Sequence, residues 1–122
     1  MKYKKEKKRI AVDLDGTLTK RGLFHNCMNL TPNQLNEIYK KAKPDLKMIE
    51  LINRLNRYYV IYIFTSRNNL HQKVTEEWLK KYNVKYDYFI VDKPYYDVII
   101  DDKAITPKEF KHRFNKNNYG TN

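Results

Sequence analysis

The chain has 122 residues, 41% of them apolar and 14% aromatic, enough for one globular domain with a single core. No apolar run nears the roughly 20 residues of a membrane span, and the charged start MKYKKEKKRI is not followed by the apolar stretch of a secretory signal. A formal net charge of +11 favours phosphorylated or polyanionic partners over neutral ones.

The basic residues are scattered, with clusters only at the two ends (KYKKEKKR and KHRFNK). Drift toward Lys, Asn, Tyr and Ile is therefore the competing reading of the charge. Cys27 is the sole cysteine, which excludes an intramolecular disulfide and fits a reducing, cytoplasmic setting. One domain is expected over 1–122, with a basic tail at 1–8 and a flexible tail at 115–122.

RIAVDL (9–14) reads as a short buried strand, and residues 16–30 as loop. TPNQLNEIYKKA (31–42) opens with Thr then Pro, an N-cap and first-turn pair, and predicts a short helix. PDLKMIELINRLNR (44–57) predicts an amphipathic helix with Leu46, Ile49, Ile52 and Leu55 on one face. YYVIYIFT (58–65) has the β-branched and aromatic content of a buried strand. The next helix lies within 67–82, with Val74, Trp78, Leu79 and Tyr82 on its core face. YDYFIV (86–91) and DVIID (97–101) predict two further strands, and TPKEFKHRF (106–114) a last helix. Alternating strands and helices imply an α/β fold, a three-layer Rossmann-like parallel sheet with helices on both faces. The link DKPYY (92–96) is short for a parallel crossover, which normally takes about a dozen residues or more.

In open α/β sheets, ligands bind beyond the carboxyl ends of the strands. The expected first strand ends in Asp13 and Asp15, the second in Thr65-Ser66-Arg67, and the fourth in Asp101-Asp102; Lys93 follows the third. Several carboxylates in one crevice repel unless a cation joins them. An all-oxygen set suits Mg²⁺, which keeps waters and pairs with substrate phosphate. Asp13 could then attack phosphorus to give an aspartyl-phosphate. Asp15 could protonate the leaving oxygen and afterwards deprotonate water, while Thr65 and Lys93 hold the phosphoryl oxygens.

The segments DLDGTLT, IFTSR, the Lys of DKP and IIDD resemble, in order, motifs I to IV of the haloacid dehalogenase (HAD) superfamily over roughly residues 9–105. The resemblance implies Asp13 as nucleophile and Asp15 as general acid/base with its backbone carbonyl on Mg²⁺. It implies Thr65 and Lys93 on the phosphate, and Asp101 as a metal ligand, with Asp102 sharing or replacing it. TEEWLKKYNVKYDYFIVDKPYYDVIIDDKAI is similar to small capless members known as capsule or polysaccharide biosynthesis phosphatases. The compact Lys-to-Asp-Asp spacing is also similar to deoxyribonucleotidases, without their larger cap. Asp92 stands where that pattern usually has glycine.

Other readings accompany these. Ser66 either binds substrate or caps the next helix. Arg67 binds substrate phosphate or pairs with Glu77 or solvent. His25 and His71 read as surface residues, Lys103 as a solvated neighbour and Trp78 as core. Residues 20–43 provide a flap rather than a cap domain, so an open site is expected, with self-association as one way to close it. The leading expectation is a Mg²⁺-dependent phosphatase acting on a small phosphorylated metabolite such as a sugar phosphate. A nucleotidase or nucleic-acid-end phosphatase is the alternative, and a non-catalytic phosphate- or nucleic-acid-binding module the third.

Overall fold

The computed structural model describes residues 8–20 and 29–114. Cys27, His25, the C-terminal tail and all but Lys8 of the N-terminal tail lie outside the described residues. In chain order the elements are β1 (Arg9–Asp13), α1 (Pro32–Lys40), α2 (Leu46–Leu55), β2 (Val60–Phe64), α3 (Gln72–Lys81), β3 (Tyr88–Ile90) and α4 (Pro107–Arg113). A 3₁₀ turn, Asn69–His71, leads into α3. The strands form one parallel sheet in the order β1-β2-β3, with Ile10 opposite Ile61, Val12 opposite Ile63 and Ile63 opposite Phe89. The fold is α/β, as its alternating pattern predicts.

Residues at alternate strand positions point to opposite faces. One sheet face therefore presents Ile10, Val12, Ile61, Ile63 and Phe89 to the core. Met48, Ile49, Ile52 and Leu55 of α2, Trp78 and Leu79 of α3, and Phe110 of α4 complete that cluster. The Trp78 indole is 3% exposed and donates to the Ala42 carbonyl at 2.8 Å, so its polar edge is satisfied while its rings pack. The opposite sheet face carries the stacked pair Tyr62 and Tyr88, with Tyr88 and Ile90 about half exposed. α1 packs against α3, and α2 against α4.

The helix starts follow from capping chemistry. The Thr31 hydroxyl accepts from the Gln34 amide while the Gln34 side chain accepts from the Thr31 amide, and Pro32 needs no partner for a missing N–H. Asp45 caps α2 by accepting from Met48 N–H at 3.1 Å, and Thr106 caps α4 through Glu109 N–H at 3.1 Å. The helix within 67–82 begins late, at Gln72, with no side-chain cap from His71. Asn68, not Ser66, caps the 3₁₀ turn before it, accepting from Leu70 N–H.

The strand expected at 97–101 is not formed. Val98, Ile99 and Ile100 are 77%, 51% and 96% exposed, and the segment has no regular structure. The short link supplies a reason. Lys93 N–H is bonded to the Thr65 carbonyl at the carboxyl end of the sheet. A parallel strand starting at Asp97 would begin at the other end. Four residue steps reach at most ~14 Å, short of the ~17 Å length of a five-residue strand.

Candidate active site

The parallel register sets Asp13 beside Phe64 and Phe64 beside Ile90, so the segments leaving all three strands emerge together. They are then tied to one another. Thr65 N–H donates to Ile90 O, Lys93 N–H to Thr65 O, and Asp92 N–H to Arg67 O, all within 3.0 Å. After Asp15 the chain turns sharply. The Leu14 carbonyl accepts from Thr17, Leu18 and Thr19 amides. Gly16 takes φ 80°, a value glycine adopts without steric cost, and its N–H donates to the Thr19 hydroxyl. Leu14 and Leu18 are fully buried, so the turn is anchored by packing as well.

The result is an open cleft of about 480 Å³ lined by Asp13, Asp15, Ser66, Arg67 and Lys93, with Tyr39, Pro94, Tyr95 and Tyr96 around them. Lys93 Nζ lies 2.9 Å from Asp13 Oδ1. Arg67 pairs with both Asp15 oxygens, Nε at 3.0 Å and Nη2 at 2.5 Å, while Nη1 donates to Thr75 Oγ1 at 2.9 Å. Its guanidinium lies 3.7 Å from the Tyr39 ring centroid, a cation–π contact. Arg67 is 5% exposed, so this fork is fixed rather than fluctuating in solvent. The counter-charge that the two carboxylates require is therefore supplied here by two basic side chains. Arg67 pairs with Asp15, not with Glu77 or solvent.

Burial pushes the Asp15 carboxyl above the ordinary aspartate range, and the Asp13 charge adds to the rise. The Arg67 hydrogen bond and charge pull the other way without cancelling it. His71 is not on the surface as its sequence context suggested. It is 4% exposed, with Nδ1 2.6 Å from Asn36 Oδ1 and its ring edge-on to Tyr39 at 5.0 Å. Burial, and then the Arg67 charge, hold its pKa below the usual histidine value.

Of the residues singled out from sequence, Asp13, Asp15, Ser66, Arg67 and Lys93 converge on the cleft. Thr65 is adjacent but 1% exposed, and its hydroxyl accepts from Arg67 N–H at 3.1 Å. Asp101 and Asp102 are exposed, and Asp101 accepts instead from the Lys103 amide. No group of three acidic, histidine or cysteine side chains placed to hold a metal occurs among the described residues. The side chains do fit a Mg²⁺ held by one or two carboxylates together with substrate phosphate and water. Asp13, with 39% of its side chain open to the cleft, is the accessible donor.

Asp92 has φ 63°, a left-handed conformation that favours glycine and that aspartate tolerates. This accounts for glycine being the usual residue there. Asp13, not Asp92, takes the Lys93 charge. Sequence reasoning missed Tyr39, Thr75 and the Tyr95-Tyr96 pair. The pair's position directly after Lys93-Pro94 was a readable signal, whereas Tyr39 reaches the cleft only through the packing of α1 on α3.

No protein-family model and no curated protein matches the chain. Among solved structures it is similar to a structural-genomics target from Vibrio cholerae, with 29% identity over 93% of this chain and 94% of that one and a TM-score of 0.68. It is also similar to chains in two structures of a Pnkp1/Rnl/Hen1 complex, the second of them an RNA repair complex. These have 18% and 17% identity and TM-scores of 0.53 and 0.54 over 91% and 93% of this chain. The chain spans only 35% and 34% of those two, so they establish a shared fold for one part of each. The likenesses accord with an α/β, Rossmann-like fold. Among the described residues no helix is long and apolar enough to cross a membrane.

Proposed function

We propose that the chain is a phosphomonoester hydrolase of the HAD type, working through an aspartyl-phosphate on Asp13. The observation that carries this reading is the meeting of Asp13 and Asp15 with Lys93 and Arg67 at the carboxyl end of a parallel sheet. Two acids suited to nucleophilic and proton-transfer work thus sit beside one cation suited to phosphoryl oxygens, Lys93, and a second, Arg67, that fixes Asp15.

In the first half-reaction an Asp13 oxygen attacks phosphorus, the bond to the leaving oxygen breaks, and Asp15 donates a proton to that oxygen. In the second, water attacks the aspartyl-phosphate, Asp15 takes its proton, and Asp13 is released with phosphate. Burial holds the Asp15 pKa above the ordinary aspartate range, and both of its oxygens accept from Arg67, so proton transfer requires one of those bonds to open. Lys93 and the Ser66 hydroxyl hold phosphoryl oxygens, with Arg67 fixing Asp15 and Thr65 holding the loop that carries Ser66 and Arg67. Mg²⁺, held by Asp13 and the Asp15 carbonyl with the substrate phosphate, would neutralise charge on the phosphoryl oxygens. Asp101 and Asp102 are exposed and do not line the cleft, so they take no part in this set.

The test is hydrolysis of an aryl phosphate with and without Mg²⁺. Activity abolished by EDTA and restored by Mg²⁺ is expected. Full activity in a metal-free preparation would remove the metal from the proposal. A nucleic-acid-end phosphatase is the second reading. It is favoured by the aromatic residues beside Lys93 and supported by the fold shared with chains of an RNA repair complex.

A further inference from the structure

Tyr95 and Tyr96 line the cleft, separated from Lys93 by Pro94 alone, and are 80% and 43% exposed. Scattered surface aromatics require no explanation. These two are a contiguous pair at the mouth of the one charged cleft described above. The Tyr96 ring centroid is 5.3 Å from Lys93 Nζ. The Tyr95 hydroxyl donates to Asp97 Oδ1 at 3.3 Å, so its polar end is occupied while the ring stays open to solvent. Pro94 fixes one backbone torsion beside them and stiffens their approach to the site. Tyr39 differs: it is 7% exposed and committed to Arg67.

We infer that Tyr95 and Tyr96 form a stacking platform for a nucleobase, so that the phosphate cleaved at Asp13 is carried by a nucleoside. This rests on the hydrolase reading above and specifies its substrate class. A phosphate held at Lys93 places a group one sugar away beside these rings. Stacking a base on an aromatic side chain contributes about 1–3 kcal/mol and tolerates any base, because every base has a π-face. A bare sugar phosphate has no comparable plane to offer. The net charge of +11 independently draws polyanionic strands toward the molecule. The nucleoside phosphate could be a free nucleotide or the end of a strand.

The experiment compares kcat/KM for adenosine monophosphate, for the ribose phosphate of the same linkage, and for a short single-stranded oligonucleotide bearing a terminal phosphate. The nucleotide should exceed the ribose phosphate by roughly 5- to 150-fold, the range that about 1–3 kcal/mol converts to. In a Tyr95→Ala/Tyr96→Ala double variant that ratio should fall toward one, and in Tyr95→Phe/Tyr96→Phe it should persist. No base preference, or one that survives the alanine pair, overturns the inference. If neither compound is hydrolysed, the hydrolase reading fails by itself. Equilibrium binding of the same two compounds then decides the platform: a tyrosine-dependent preference for the nucleotide sustains it, and equal binding overturns it. A further gain for the oligonucleotide, lost steeply with salt, assigns the substrate to strand ends; no such gain assigns it to free nucleotides.

Discussion

Asp15 and Arg67 stand 52 positions apart in sequence and form a two-point ion pair in the cleft. Arg67 is nearly dry, gripped by Asp15, Thr75 and the face of Tyr39. Removing one member of such a pair strands the other, and the cost is about 3–5 kcal/mol. Arg67→Ala should therefore lower unfolding stability by an amount in that range, read by urea denaturation. Loss of only a few tenths would mean that solvent replaces the guanidinium freely. Asp15→Asn removes the proton donor and acceptor and should slow turnover about 10²–10⁴-fold, read as kcat. At this scale the sequence showed which residues carry charge but not which charges meet. The DLDGT and TSR segments marked Asp13, Asp15 and Arg67 as chemistry. The pairing of Arg67 with Asp15 depends on the alignment of β1 with β2, which no local pattern encodes.

Among the elements, helices were the most legible because caps and apolar faces are local. Thr31-Pro32, Asp45 and Thr106-Pro107 each mark a start that the backbone amides confirm. The missing strand at 97–101 shows the converse. Its β-branched run satisfies every local criterion, yet a strand also needs a neighbour within reach, and the tether at Lys93 is non-local. Asp45 also accepts from Lys111 Nζ at 2.8 Å, tying the start of α2 to α4. Burial opposes ionisation of Asp45, but the Lys111 hydrogen bond and charge, with the Met48 amide, outweigh it and lower its pKa. A carboxyl with a lowered folded-state pKa contributes stability above its unfolded pKa and loses it as pH falls through the folded value. Asn caps nearly as well as Asp, so Asp45→Asn isolates the charge. The variant should be less stable than the parent near neutral pH, and the gap should close on acidification below the ordinary aspartate range. A pH-independent gap would assign the effect to packing.

At the scale of the whole molecule, the +11 charge acts on encounter rather than on fold. Lys93 is committed to Asp13 and Arg67 to Asp15, so the site's own charges nearly cancel and the surplus lies elsewhere. Hydrolysis of a small phosphate should then respond weakly to salt, because short, partly buried contacts are screened little. Oligonucleotide binding should weaken by about 0.7 log units per log unit of salt for each single-strand phosphate contacted. Titrating both from low to moderate salt checks the difference; equal slopes would contradict it. The motif spacing leaves little room for a cap domain, and among the described residues the cleft is open, with walls from α1 and residues 94–96.

The central claim is that Asp13 carries the phosphoryl group. Its most direct test is acid quenching of the enzyme during turnover, followed by peptide mass spectrometry to locate the modified residue. The account predicts a phosphoryl group on Asp13, absent in Asp13→Asn, which should also lose turnover. Turnover at the parental rate in Asp13→Asn, or a phosphoryl group on any other residue, would contradict it.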